Sequence, residues 1–277
     1  SMDTVINWFT NNQEMLIAFL IKFIIAIIIL IAGKILAKVI AKATVKLLNH
    51  RNVDDTVSSF VSSLVYGLVL LVAFIVAISH LGFNTSSLVA IVGAAGLAIG
   101  LALQGSLSNF ASGILLITFK PFKAGDFVDV AGVSGSVEEV KIFSTQLKTP
   151  DNKTVIIPNG SITSGTITNY SAKPIRRIDL VIGVSYDADL AKTKQILTSI
   201  VDNHALVLKD EPATIGVSEL ADSSVNLVVR PWVKTENYWP VYFELLETIK
   251  VELDNAGIEI PFPQLSVHMN HEETNES

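Results

Sequence analysis

The chain has 277 residues, half of them hydrophobic and only 17% charged, against roughly 25% charged in an ordinary soluble domain. A net charge of −6 gives no basic field to wrap a polyanion, so nucleic acid is a poor partner, and the absence of cysteine excludes disulfides, thiolate metal sites and cysteine nucleophiles. The mean hydropathy of +0.51 points to a membrane protein, with the apolar excess concentrated in the N-terminal third.

Residues 2 to 14 are polar, with Trp8 and Phe9 placed to rest at an interface. From Met15 to Leu36 the chain is mostly apolar, interrupted by Lys22 and Gly33, and roughly 20 such residues span a hydrocarbon core. The opening lacks the short basic region of a cleavable signal, and its apolar run is too long for one, so it reads as a retained helix. Lys34, Lys38, Lys42 and Lys46 then recur every four residues, one basic stripe on a helix leaving the membrane. A turn over 49–55 leads to a second, uncharged span from Val57 to Ser79, with Gly82 as its C-cap and Ser86 or Ser87 capping the next helix. Lys and Arg are absent before the first span and from the 80–87 connection but crowd the 34–51 segment. The positive-inside rule therefore puts the N-terminus outside and the C-terminal part in the cytoplasm.

The third apolar segment, Ser87 to Phe119, is too long for one straight crossing and is unusually rich in small residues. On a helix, Ala94, Ala98 and Ala102 form one ridge, Gly93, Gly96 and Gly100 fall at spacings of three and four, and Leu97 and Leu101 repeat at four. Small ridges let helices approach closely, and Gly96 to Gly100 is a GxxxG step. Gly105, within a polar stretch from Gln104 to Asn109, is a kink position, and Gly113 interrupts the pattern again. Phe110, Ile114, Leu115 and Ile117 form the apolar side of an amphipathic helix after it. The segment is either a small-residue-rich bundle helix or one of several identical helices around an axis. In the second arrangement Leu97 and Leu101 become apolar rings able to block ions by dewetting.

From Asp126 the pattern switches to short strands. Strands at 127–130, 135–140, 144–148 and 154–158, separated by turns at 131–134 and 150–153, predict a small β-barrel-like module. After Arg177 the order is strand 178–184, helix 188–203, strands 214–220 and 224–233, helix 241–256 and a final strand 264–269, a ferredoxin-like βαββαβ pattern. The fold class is thus membrane α followed by soluble α+β. Its expected domains are 1–86, 87–124, 125–174, 175–263 and 264–277.

Chemistry is sparse. His268 and His271 beside Glu272 and Glu273 read as surface residues, and Asp179, Asp187 and Asp189 as a strand followed by an acidic N-capping turn. Trp232, Tyr238, Trp239 and Tyr242 read as core or subunit contacts. No phosphate-binding loop or nucleophile elbow is present, so the chain reads as neither an enzyme nor a cofactor protein. A membrane-anchored scaffold or sensor with a partner-binding cytoplasmic domain is the alternative to a pore.

The run from Val92 to Asn109, the block from Phe119 to Asp126 and the block from Val155 to Gly160 closely resemble the small-conductance mechanosensitive channel (MscS) family. The resemblance covers about residues 10 to 270 and adds a small Sm/SH3-like β-domain to the fold expectation. It implies a homoheptamer in the bacterial inner membrane, opened by bilayer tension, releasing ions and small osmolytes on hypo-osmotic shock, with no cofactor. It further implies that Leu97 and Leu101 constrict the pore, and that Gly93, Ala94, Gly96, Ala98, Gly100 and Ala102 form the sliding helix interface. Gly105 and Gly113 match the family's kinks, and Phe60 matches a residue packing on Leu103 and Leu107 to couple lipid-facing helices to the gate. Asp54 matches an acid near Lys120 and Lys123, an ion pair that tunes gating. Membrane lipids are the implied partners along the first two helices, where Lys38, Lys46, Tyr66 and His80 replace the arginines of better-known relatives.

Overall fold

A computed structural model of the chain describes residues 2–51, 53 and 55–269. It divides into two units, one within residues 1–104 and the other within residues 105–277.

The first unit is helical: α1 (Met2–Asn11), α2 (Gln13–His50), α3 (Asp55–His80) and α4 (Ser86–Ala102). At 1.5 Å per residue the 38 residues of α2 reach about 57 Å, nearly twice the ~30 Å of a hydrocarbon core. The lysine stripe therefore continues the same rod that carries the apolar span. Helices α2 and α3 pack antiparallel along a seam of small side chains, with Ala26, Ala37 and Ala41 buried against Ser58, Ala73 and Ala77. The contact is tightest at Gly33, where an added Cβ would lie 2.3 Å from the Ala73 Cβ. Ser62 Oγ donates to the Ala41 carbonyl at 3.2 Å. Lipid tails supply no hydrophobic drive between helices, so close dispersion contacts and such hydrogen bonds hold the hairpin.

Helix α3 ends at His80, and Gly82 adopts a left-handed φ of +93° that suits glycine. The cap of α4 differs from expectation. Thr85 occupies the N-cap, and Asn84 Oδ1 accepts the Ser86 N–H at 2.9 Å, so a short Asx turn replaces a serine cap.

The second unit opens with α5 (Gln104–Phe119). It continues with β1 (Phe127–Val130), β2 (Val133–Val140), β3 (Ser144–Lys148), β4 (Thr154–Pro158), α6 (Asn159–Thr163) and β5 (Thr168–Asn169). These strands form an antiparallel sheet in the order β4-β3-β2-β1-β5. Ala131 and Gly132 both have positive φ, giving a two-residue hairpin turn, so Val133 and Ser134 belong to β2 rather than to the expected four-residue turn. Val128, Val130, Val137, Leu147, Ile157 and Ile162 form the core of this domain, and Leu116 of α5 and Phe122 complete it.

Next come β6 (Ile175–Arg177), β7 (Leu180–Val184), α7 (Leu190–Asn203), β8 (Thr214–Leu220), β9 (Val225–Arg230), β10 (Trp232–Lys234), a 3-10 turn (Thr235–Asn237) and α8 (Tyr238–Asn255). The sheet order β7-β9-β8 is that of a ferredoxin-like core. Buried Val241, Leu245, Ile249 and Leu253, every four residues along α8, cover it together with Leu197 and Val201 of α7. Asp189 caps α7 by accepting the Lys192 N–H at 3.0 Å. The strand expected over 224–233 is two strands, because Pro231 has no N–H for a ladder, and β10 pairs instead with β6.

The expected final strand at 264–269 is not formed. Residues 259–269 have no regular secondary structure, and Leu265, Val267 and Met269 are exposed, since no strand edge among the described residues pairs with them. The ferredoxin-like pattern in one chain is therefore βαββα. His271, Glu272 and Glu273 lie outside the described residues.

Candidate pore helix and gate

Helix α4 and the start of α5 carry the candidate site, and no charged residue lies between Ser86 and Phe119. None of the 17 residues of α4 is buried. Leu97 and Leu101 are 67% and 64% exposed. Ala94, Ala98 and Ala102 are exposed along one ridge, and an added Cβ at Gly93, Gly96 or Gly100 would meet nothing within 4 Å. The hairpin of α2 and α3 shows what small residues do when partnered, since Gly33 admits Ala73 into contact. Helix α4 presents the same chemistry with its glycine and alanine ridges left open among the described residues.

The helix breaks at Leu103, whose N–H reaches the Ile99 carbonyl at 2.9 Å while α5 starts at Gln104. Together α4 and α5 have the length and hydropathy of one broken span. The break thus lies two residues before the expected kink at Gly105, which sits in the first turn of α5 with open space around it. At Gly113 the helix has no break, and α5 runs on to Phe119. That glycine serves close approach instead: an added Cβ would lie 1.9 Å from the Ile142 carbonyl oxygen and 2.7 Å from Asn159 Nδ2.

Around Gly113, α5 is fastened to the β-domain. Asn109 Oδ1 accepts the Gly160 N–H at 2.8 Å, and Ser112 Oγ bonds Thr163 Oγ1 at 2.7 Å. Asn159, fully buried, organises the receiving surface. Its Oδ1 accepts from Thr145 Oγ1 at 2.8 Å, and its Nδ2 donates to the Lys141 and Ile142 carbonyls at 2.9 and 3.1 Å. Every polar atom of this buried amide is used, so its orientation is fixed. Leu116 closes the row by entering the β-domain core. Residues 109, 112, 113 and 116 share one helix face, a polar-to-small stripe with no hydrophobic period to mark it in the sequence. Phe110, Ile114, Leu115 and Ile117 remain exposed on other faces.

Of the remaining expected site residues, Phe60 is 68% exposed, and Leu103 and Leu107 are exposed as well. Asp54 lies outside the described residues. Lys120 terminates α5 with a φ of 48°, and Lys123 uses its backbone N–H, which donates to the buried Asp126 Oδ2 at 3.1 Å.

Four profiles of one family tile this chain. They are described as "Mechanosensitive ion channel, conserved TM helix" over residues 7–56, "transmembrane helices 2/3" over 57–104, "beta-domain" over 105–172 and "Mechanosensitive ion channel MscS, C-terminal" over 178–260. The small-conductance mechanosensitive channel of Edwardsiella ictaluri is 47% identical over 262 residues, spanning 95% of this chain and 92% of its own. The crystal structure of Helicobacter pylori MscS in its closed state superposes with a TM-score of 0.79 at 34% identity, covering 91% of this chain and 99% of that one. The cryo-EM structure of Arabidopsis thaliana MSL1 shares the fold at 18% identity, with a TM-score of 0.71 over 94% of this chain and 95% of that one.

Proposed function

The chain belongs to the small-conductance mechanosensitive channel (MscS) family, and we propose that it is a tension-gated channel that passes ions and small osmolytes out of the cell during hypo-osmotic shock. The observation that carries the reading is α4, an uncharged apolar helix whose small ridges and leucine row are left open among the described residues. Identical copies, seven in this reading, cover the ridges by packing Ala on Gly around an axis. Leu97 and Leu101 then face the lumen as two apolar rings.

Tension favours the state of larger membrane area, so outward tilt of α2 and α3 shifts the population toward an open pore. Phe60 transmits that tilt to Leu103 and Leu107, the ridges slide, and the leucine rings widen and wet. The fastening of α5 to the β-domain gives the moving helix a fixed end, with the break at Leu103 as the hinge. The lysine stripe faces inner-leaflet headgroups, Asp54 tunes the threshold through Lys120 or Lys123, and the N-terminus is periplasmic. The β-domain and the α/β domain form a cytoplasmic vestibule below a bacterial inner membrane.

Patch recording of the purified protein in liposomes tests this. Stepwise suction is expected to open discrete conductances, and silence up to bilayer rupture would return the chain to the scaffold or sensor reading.

A further inference from the structure

A cleft of about 630 Å³ opens between the β-domain and the first turns of α8, and Phe127, Tyr170, Arg176, Glu236, Trp239 and Phe243 line it. Its walls are aromatic. Phe127 lies 5.9 Å from Tyr170 across one side, and on the other Trp239 stacks on Phe243 at 5.6 Å. Trp239 and Phe243 are 56% and 62% exposed, although the same helix supplies four fully covered residues to the core.

Two charges line the cleft, and neither is in an ion pair among the described residues. The guanidinium of Arg176, half-buried on β6, sits 3.8 Å from the Tyr238 ring centroid and 4.9 Å from that of Tyr170. It forms no hydrogen bond and no ion pair among the described residues, whereas its neighbour Arg177 is paired with Asp179 at 2.7 Å. The rings hold the Arg176 head in place while its N–H donors face the cleft, where a ligand can accept from them. The Glu236 carboxylate is likewise unpaired among the described residues, and the two do not pair with each other. A fixed cation donor, a carboxylate and exposed ring faces in one cleft ask for a ligand bearing both signs of charge.

We propose that this cleft binds a small zwitterionic solute carrying a carboxylate and a quaternary ammonium group. The carboxylate accepts from the planar Arg176 fork, which suits bidentate recognition. The onium lies over the faces of Trp239 and Phe243, with Glu236 supplying the counter-charge. A primary ammonium would bring three N–H donors, which the ring faces of Trp239 and Phe243 satisfy poorly. A quaternary group has no such donors, and its methyls pack directly on the rings.

The probe is trimethylglycine, titrated calorimetrically into the full-length protein in nanodiscs without applied tension. Saturable binding is expected. Tetramethylammonium, which lacks the carboxylate, and acetate, which lacks the onium, are expected to bind at least about tenfold more weakly. Arg176→Gln and Trp239→Ala are each expected to weaken trimethylglycine binding by about tenfold or more, and Glu236→Gln, a change at an exposed position that leaves folding intact, by several-fold. Absence of saturable binding to the native protein overturns the proposal, as does unchanged affinity in Glu236→Gln and Arg176→Gln. A fall in oligomer mass on Trp239→Ala, read by native mass spectrometry, would assign the cleft to a second copy of the chain and overturn it equally. Because binding is read at rest, its failure leaves the tension-gating reading untouched.

Discussion

Replacing Gly113 by alanine adds one methyl group at the point where α5 meets the β-domain. Its Cβ would start 1.9 Å from the Ile142 carbonyl oxygen, so helix and loop must separate by about 1.5 Å to reach an ordinary contact. That movement stretches the bonds from Asn109 to Gly160, at 2.8 Å, and from Ser112 to Thr163, at 2.7 Å, and disturbs the bond from Asn159 to Ile142. Overpacking costs about 1–3 kcal/mol, and leaving buried polar groups poorly satisfied about 1–3 more, while alanine returns about 1 in helix propensity. The net is about 3 kcal/mol, or roughly a 150-fold rise in opening of the joint. Hydrogen exchange with mass spectrometry reads it, as faster exchange in peptides covering 141–145 and 159–163 relative to the native protein. Gly105→Ala is the control, because a Cβ there meets nothing within 4 Å, and it is expected to leave those peptides unchanged. Equal exchange in native and Gly113→Ala protein would refute the close-approach reasoning.

Leu101→Ser places a hydroxyl ring at the constriction, and resting current in liposomes without suction is expected; an unchanged closed-state leak removes Leu101 from the gate. Gly33→Ala drives a Cβ to within 2.3 Å of the Ala73 Cβ, so the solubilised protein is expected to lose about 1–3 kcal/mol, and Ala73→Gly in the same chain should restore its melting temperature. Lys153 and Thr149 hold the Asp151 carboxyl below the usual carboxylate range. The contribution of that turn to stability is therefore complete above about pH 4 and is lost as pH falls through the lowered folded-state value, which an NMR titration of the Asp151 side chain against an unfolded reference peptide would read.

Much of the architecture is written locally. Unbroken apolar runs mark α2 and α3, and the small-residue periodicity of 93–102 marks α4 before any coordinates. The β-domain strands follow from alternation bounded by Gly, Pro and Asn. What escaped depends on distant neighbours. Gly113 looks like a kink in a helical sequence, but its purpose is set by the Ile142 carbonyl, which no local pattern announces. Asn159 falls in the block that carries the family resemblance, but nothing local marks it as the buried hub that α5 docks on. The strand at 264–269 has the right composition, but among the described residues no strand edge pairs with it, and pairing depends on neighbours that the segment itself does not encode. The open surface of α4 is legible for the same reason in reverse: its residue types state the need for a close partner, and the structure leaves all of its residues uncovered among the described ones.

The central claim is that tension opens a path past Leu97 and Leu101. The native chain has no cysteine, so Leu101→Cys introduces a single thiol. Its reaction with a charged, membrane-impermeant methanethiosulfonate, recorded in reconstituted patches with and without suction, reads the path directly. The account predicts that the reagent alters the current rapidly under suction and only slowly at rest. Equal rates in the two conditions, or no effect on a tension-activated current, would contradict it.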